Sequence, residues 1–168
     1  NIDHRHNQEI YLNKDKRILY RLYIPKYHNK SLNVVIWFHG GGFVLGNIRD
    51  NDDVCNKISK ETNTIVVNVN YALSPENKFP KAIYDSIDAV KWVYSNIHKY
   101  NGNKNSIYLA GESAGGNLII SIIPNLSIKI KGIISIYAPL QAYTFTNSHW
   151  KYANFNGLLS LDNLLKFY

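Results

Sequence analysis

Residues 107–120 read IYLAGESAGGNLII, a β-prone run, a turn and an apolar helix start within fourteen residues. Ile107 to Ala110 is the strand, and Ala114 to Ile123 is a helix stopped by Pro124. Between them Gly111-Glu112-Ser113-Ala114-Gly115 matches G-x-S-x-G. The position matters more than the letters, because a strand-to-helix turn is where a nucleophilic serine is held in strained backbone. Small neighbours are needed there because the chain passes close to adjacent segments, and Gly111, Ala114, Gly115 and Gly116 are small. Ser113 is therefore the candidate nucleophile. It stands at a helix N-terminus, where unused N–H groups and the helix dipole favour developing negative charge, so the Ala114 N–H is a candidate oxyanion donor.

A further donor has to come from another loop at the same sheet edge, with backbone able to approach a substrate oxygen to about 3 Å. HGGGF at 39–43 has that character. It directly follows the apolar run Val34-Val35-Ile36-Trp37-Phe38, which reads as a strand buried on both faces. Three adjacent glycines are unfavourable for a sheet but suit backbone that must take unusual dihedrals or approach a ligand. Gly41 and Gly42 are the expected donors.

Outward from these two stretches, strands and helices alternate. Glu9 to Leu12 and Arg17 to Ile24 read as a hairpin around the polar turn 13–16. Asp50 to Glu61 is a helix with acids at its front and Val54, Cys55, Ile58 and Ser59 on its apolar or small face. Thr64 to Val69 is a strand. From Pro80, residues Ile83, Ile87, Val90, Trp92 or Val93 and Ile97 recur at helical spacing until Asn101-Gly102. Ile130 to Tyr137 is another strand, and Leu158 to Tyr168 begins an amphipathic helix. Alternation of this kind implies a mostly parallel sheet with helices on both faces.

The chain has 168 residues, enough for one domain, and one domain over 1–168 is expected. No apolar run is long enough to span a bilayer and the N-terminus has no signal-peptide core, so the expectation is a soluble, cytoplasmic protein. The net charge of +7 is spread along the chain without a basic block, which argues against nucleic acid as a partner. Abundant Asn, Lys, Ile and Tyr point to an A/T-rich genome. The single cysteine, Cys55, excludes an internal disulfide and is expected to be buried. His4, His6, His28 and His98 lack metal-ligand spacing, and no metal or cofactor is expected. Trp37, Trp92 and Trp150 read as packing residues. The chain begins with Asn and holds no Met, so it reads as processed or as a piece of a longer one.

Three stretches together, HGGGFVLG at 39–46, YALSPENKFPKAIYD at 71–85 and GESAGGNL at 111–118, resemble the hormone-sensitive-lipase-like branch of the α/β-hydrolases. The resemblance runs from about Ile18 to the end. It implies a three-layer α/β-hydrolase sandwich and hydrolysis of short- to medium-chain carboxylic esters through an acyl-enzyme on Ser113. It also implies oxyanion donors at Gly41, Gly42 and Ala114, and no cofactor. His39 and Gly40 would shape the oxyanion loop, Gly111 and Gly115 would let the elbow close, and Glu112 would be structural or electrostatic, not the triad acid. The middle stretch departs from the family at Ala72, where arginine is frequent, and at Ser74. Its prolines and Asp85 are expected to fix a turn. In this fold the order is Ser, then acid, then His. After Ser113 the only acid is Asp162 and the only histidine is His149, in the wrong order, so both are expected to be bystanders. The C-terminal strands are expected to be missing and the 168-residue chain by itself nearly inactive. The alternatives are a binding protein without turnover and a decayed fragment.

Overall fold

The computed structural model describes residues 2–13, 16–26, 31–140, 146–152 and 160. Two compact units are distinguished, Asn1–Ala138 and Pro139–Tyr168. The described part of the second includes one helix, α4 (Asn147–Tyr152). Asp162 and the expected helix from Leu158 lie outside the described residues, as do the side chains of His149 and Trp150.

The first unit is built on a six-stranded sheet in the order β1-β2-β4-β3-β5-β6. β1 (Ile2–Asn13) and β2 (Lys16–Pro25) form an antiparallel hairpin, and β2 lies antiparallel to β4 (Ile65–Asn70). From β4 onward all pairings are parallel, through β3 (Leu32–Phe38) and β5 (Gly102–Glu112) to β6 (Gly132–Ile136). The hairpin is much longer than its apolar letters suggest, because ladder hydrogen bonds are made by backbone whatever the side chain.

The near-continuous apolar runs have two faces to fill. Val34, Ile36 and Phe38 of β3, with Val67, Val69 and Leu109, pack against α2 (Lys81–Asn96) and α3 (Ala114–Ile122). The alternate residues Val35, Trp37, Val66 and Ala110 join Tyr23 in a second cluster with Cys55 of α1 (Asp52–Thr62). A strand's side chains alternate in this way, so one strand holds helices on both faces. Cys55 is fully buried, and burial pushes its thiol far above the usual range. Val54, expected on the same inner face, is exposed, and Cys55 and Ser59 do the burying. On α2, Ile87, Val90 and Val93 are buried, and a 3-10 turn (Ile97–Tyr100) continues the helix with Ile97 buried. Trp37 is buried, and half-buried Trp92 lies against the Tyr20 ring, with centroids 4.7 Å apart.

Parallel strands share one direction, so the loops after β3 and β5 emerge at the same end of the sheet. Phe38 pairs with Gly111, which sets the two loops side by side.

Candidate active site

Ser113 has φ 49° and ψ −119°, a conformation that L-residues rarely adopt. It is held from both sides. Its N–H donates to the carbonyl of Ile136, at 2.9 Å, and its own carbonyl accepts from Asn117 N, at 3.0 Å. The glycines around it show what the turn requires. A methyl group on Gly115 would lie 2.1 Å from the Phe38 carbonyl oxygen, and one on Gly111 would lie 2.7 Å from the same atom. Helix α3 can begin against the end of β3 only because both side chains are hydrogen.

The glycine loop meets the elbow at Gly40, where an added methyl would be 3.3 Å from Ser113 Cβ. Gly41 and Gly42 have φ of 117° and 61°. The Gly41 carbonyl is turned away to accept from Val44 N and Leu45 N, at 3.1 and 2.8 Å. Neither the Gly41 nor the Gly42 N–H donates to a protein acceptor among the described residues. Ala114 is the first residue of α3, and a helix makes no internal use of its first N–H groups. Three candidate donors thus stand in two adjoining loops.

His39 lies beneath the loop, 1% exposed. Its Nδ1 lies 2.6 Å from the Gly40 carbonyl oxygen, its ring stacks on Tyr71 at 4.3 Å, and the Tyr71 hydroxyl donates to the His39 carbonyl at 2.7 Å. Burial holds the imidazole below its usual pKa, opposed by the hydrogen bond to Gly40 and by the charges of Asp50 and Glu112. The neutral ring therefore carries its proton on Nδ1, which donates to Gly40. Gly46 also has to be glycine, since a methyl there would lie 2.5 Å from His39 Nδ1.

Glu112 is engaged by two neighbouring side chains. Its carboxylate accepts from Asn51 Nδ2, at 2.8 Å, and from the Tyr137 hydroxyl. It ties the residue before α1 and the residue after β6 to the elbow. Asp85, nearly buried, accepts from Ala72 N at 3.3 Å and pairs with Lys81 one helical turn earlier. Where the family often has arginine at position 72, Lys81 brings a positive charge to this carboxylate.

The Ser113 hydroxyl makes no hydrogen bond with a described side chain. The described residues include no group of three or more His, Cys, Asp or Glu able to hold a metal ion, and no helix long and apolar enough to cross a membrane. Sequence reasoning missed Tyr71, Asn51 and Tyr137. Only Tyr71 left a trace, as the first residue of the middle motif.

Residues 35–167 match the family model described as the alpha/beta hydrolase fold. The chain belongs to the alpha/beta hydrolase family. Among curated members, the versiconal hemiacetal acetate esterase of Dothistroma septosporum is 30% identical over 140 residues, 80% of this chain and 40% of that enzyme. Carboxylesterase NlhH of Mycobacterium tuberculosis is 40% identical over 98 residues, 58% of this chain and 31% of that one. Among solved structures, the hyperthermophilic esterase of Pyrobaculum calidifontis superposes with a TM-score of 0.87 at 33% identity. It covers 99% of this chain, which in turn covers 56% of the esterase. This member of the alpha/beta hydrolase family is thus similar to carboxylesterases and spans about half the length or less of these relatives.

Proposed function

We propose that the protein is a carboxylic ester hydrolase in which Ser113 attacks the ester carbonyl and the N–H groups of Gly41, Gly42 and Ala114 receive the oxyanion. The single observation that carries the reading is the adjacency of two loops, one presenting a serine at φ 49° and the other two glycine N–H groups without protein acceptors. Attack forms a bond from Ser113 Oγ to the carbonyl carbon and moves the π electrons onto the oxygen. Collapse expels the alcohol and leaves an acyl-serine, which water then hydrolyses. Fixed donors at the developing charge supply much of such a rate enhancement, about 10²–10³-fold per donor in comparable sites. The substrate class, esters of short to medium acyl chain, follows the resemblance to small carboxylesterases.

The proton of Ser113 needs an acceptor. His39 is not it, since its Nδ1–H is committed to Gly40 and its ring is enclosed. The described residues therefore supply the nucleophile and oxyanion side of the reaction, and the base comes from outside them.

The test is p-nitrophenyl butyrate hydrolysis by the folded protein beside Ser113→Ala, with imidazole added as an external base. The expected result is a Ser113-dependent rate, small without imidazole and rising with it after subtraction of the Ser113→Ala background. Equal rates in both proteins at every imidazole concentration would overturn the assignment and favour binding without turnover, the reading that the unpartnered serine hydroxyl also supports.

A further inference from the structure

At the other end of the sheet, away from Ser113, lies a cavity of about 270 Å³ lined by Tyr94, Lys104, Asn105, Lys129 and Lys131. We infer that it is a binding site for a small polyvalent phosphate anion, of the size and charge of pyrophosphate. Lys104 and Asn105 stand near the start of β5, and Lys131 directly precedes β6, where its N–H donates to the Ile107 carbonyl at 2.8 Å. Ser113 follows the far end of β5, so about eight residues of strand, roughly 26 Å, separate the cavity from the elbow. The two sites do not share a residue.

The lining is cationic and its positive charge is not neutralised from within. Three lysines line one concavity, and among the described residues no Asp or Glu lines it and none of the three makes an ion pair. Lysines on an open convex surface spread into water, whereas charges held in a concave wall add their fields and concentrate counter-ions. Lys104 is also restrained, its ammonium lying 5.3 Å from the centre of the Tyr94 ring. Ammonium groups bind phosphate as point charges from several directions, and the Asn105 amide adds neutral donors. The volume falls just below the roughly 300–1,000 Å³ of sites for drug-sized ligands, which favours a compact anion. Three positive charges match the charge of pyrophosphate near neutral pH.

Isothermal titration of the purified protein with pyrophosphate, at constant ionic strength, tests the site. Expected is saturable one-to-one binding that weakens at least tenfold in Lys104→Gln/Lys129→Gln/Lys131→Gln. A control with the same charge loss elsewhere, Lys57→Gln/Lys60→Gln/Lys78→Gln, should keep its affinity. All six lysines are exposed, so both variants should fold, as circular dichroism would verify. Equal weakening in both variants would reduce the effect to net charge and overturn the proposal. So would failure of pyrophosphate to bind, or a single-stranded oligonucleotide competing at the same lysines with higher affinity per phosphate.

Discussion

Ser113, the proposed nucleophile, sits in strained backbone. A non-glycine residue at φ 49° costs on the order of 1–3 kcal/mol and persists only where its surroundings over-determine it. Here they do so through Ile136 and Asn117. His39 is a second residue whose environment predicts a measurement. Burial depresses its pKa, so the folded state holds it neutral while the unfolded state takes up a proton below about pH 6.5. The stability that neutral His39 contributes is complete above that pH and is lost as pH falls toward the folded-state value. Denaturation at pH 7.5 and 5.5 should show a steeper acid loss in wild type than in His39→Gln, by up to about 1.4 kcal/mol per pH unit. Identical slopes would mean that His39 protonates freely in the folded protein. The strained turns at Ser113, Gly41 and Gly42 were legible in the sequence because unusual dihedrals and close approach demand particular residue types. Asn51 and Tyr137 were not, because each acts through one hydrogen bond to a residue 61 or 25 positions away, and nothing local marks it.

Among the elements, α3 depends most directly on single atoms. Gly115→Ala would drive a methyl into the Phe38 carbonyl, where neither partner is a movable side chain, whereas Gly132→Ala meets only the Tyr108 ring at 3.2 Å. Urea unfolding should find Gly115→Ala destabilised by about 1–3 kcal/mol and Gly132→Ala by clearly less. Comparable losses would show that α3 can shift away from β3. The order and type of the elements in the first unit were readable from apolar periodicity. Their lengths were not. β5 runs from Gly102, well before the apolar run Ile107 to Ala110, because Gly102 pairs with Leu32 and residues 103–106 form an irregularity in the ladder before it resumes at Ile107. Val54 stood among apolar or small neighbours yet faces water, since the face of a short helix is set by what it packs on.

On the scale of the whole molecule, the sheet of the described residues runs from the antiparallel strand β1 at one edge to the parallel strand β6 at the other. Ile133 and Ile134 are 44% and 53% exposed, and Tyr137 is 70% exposed. An exposed apolar edge strand is a template for pairing with another chain, and a lysine there opposes such pairing. Size-exclusion chromatography with light scattering should therefore find concentration-dependent self-association that Ile134→Lys reduces, with little change in melting temperature. Self-association that is unaffected by the substitution would place the contact elsewhere. The glycines carry one more consequence. Every glycine codon opens with two guanines, so any base change at either position removes the glycine. Of the ten in the chain, Gly40, Gly41, Gly42 and Gly46 stand in the loop after β3, and Gly111, Gly115 and Gly116 flank Ser113 at the end of β5 and the start of α3. At Gly41, Gly46, Gly111, Gly115 and Gly116 the replacement would meet another atom at under 3 Å, so the backbone around Ser113 is where this gene has least room for a single-base change.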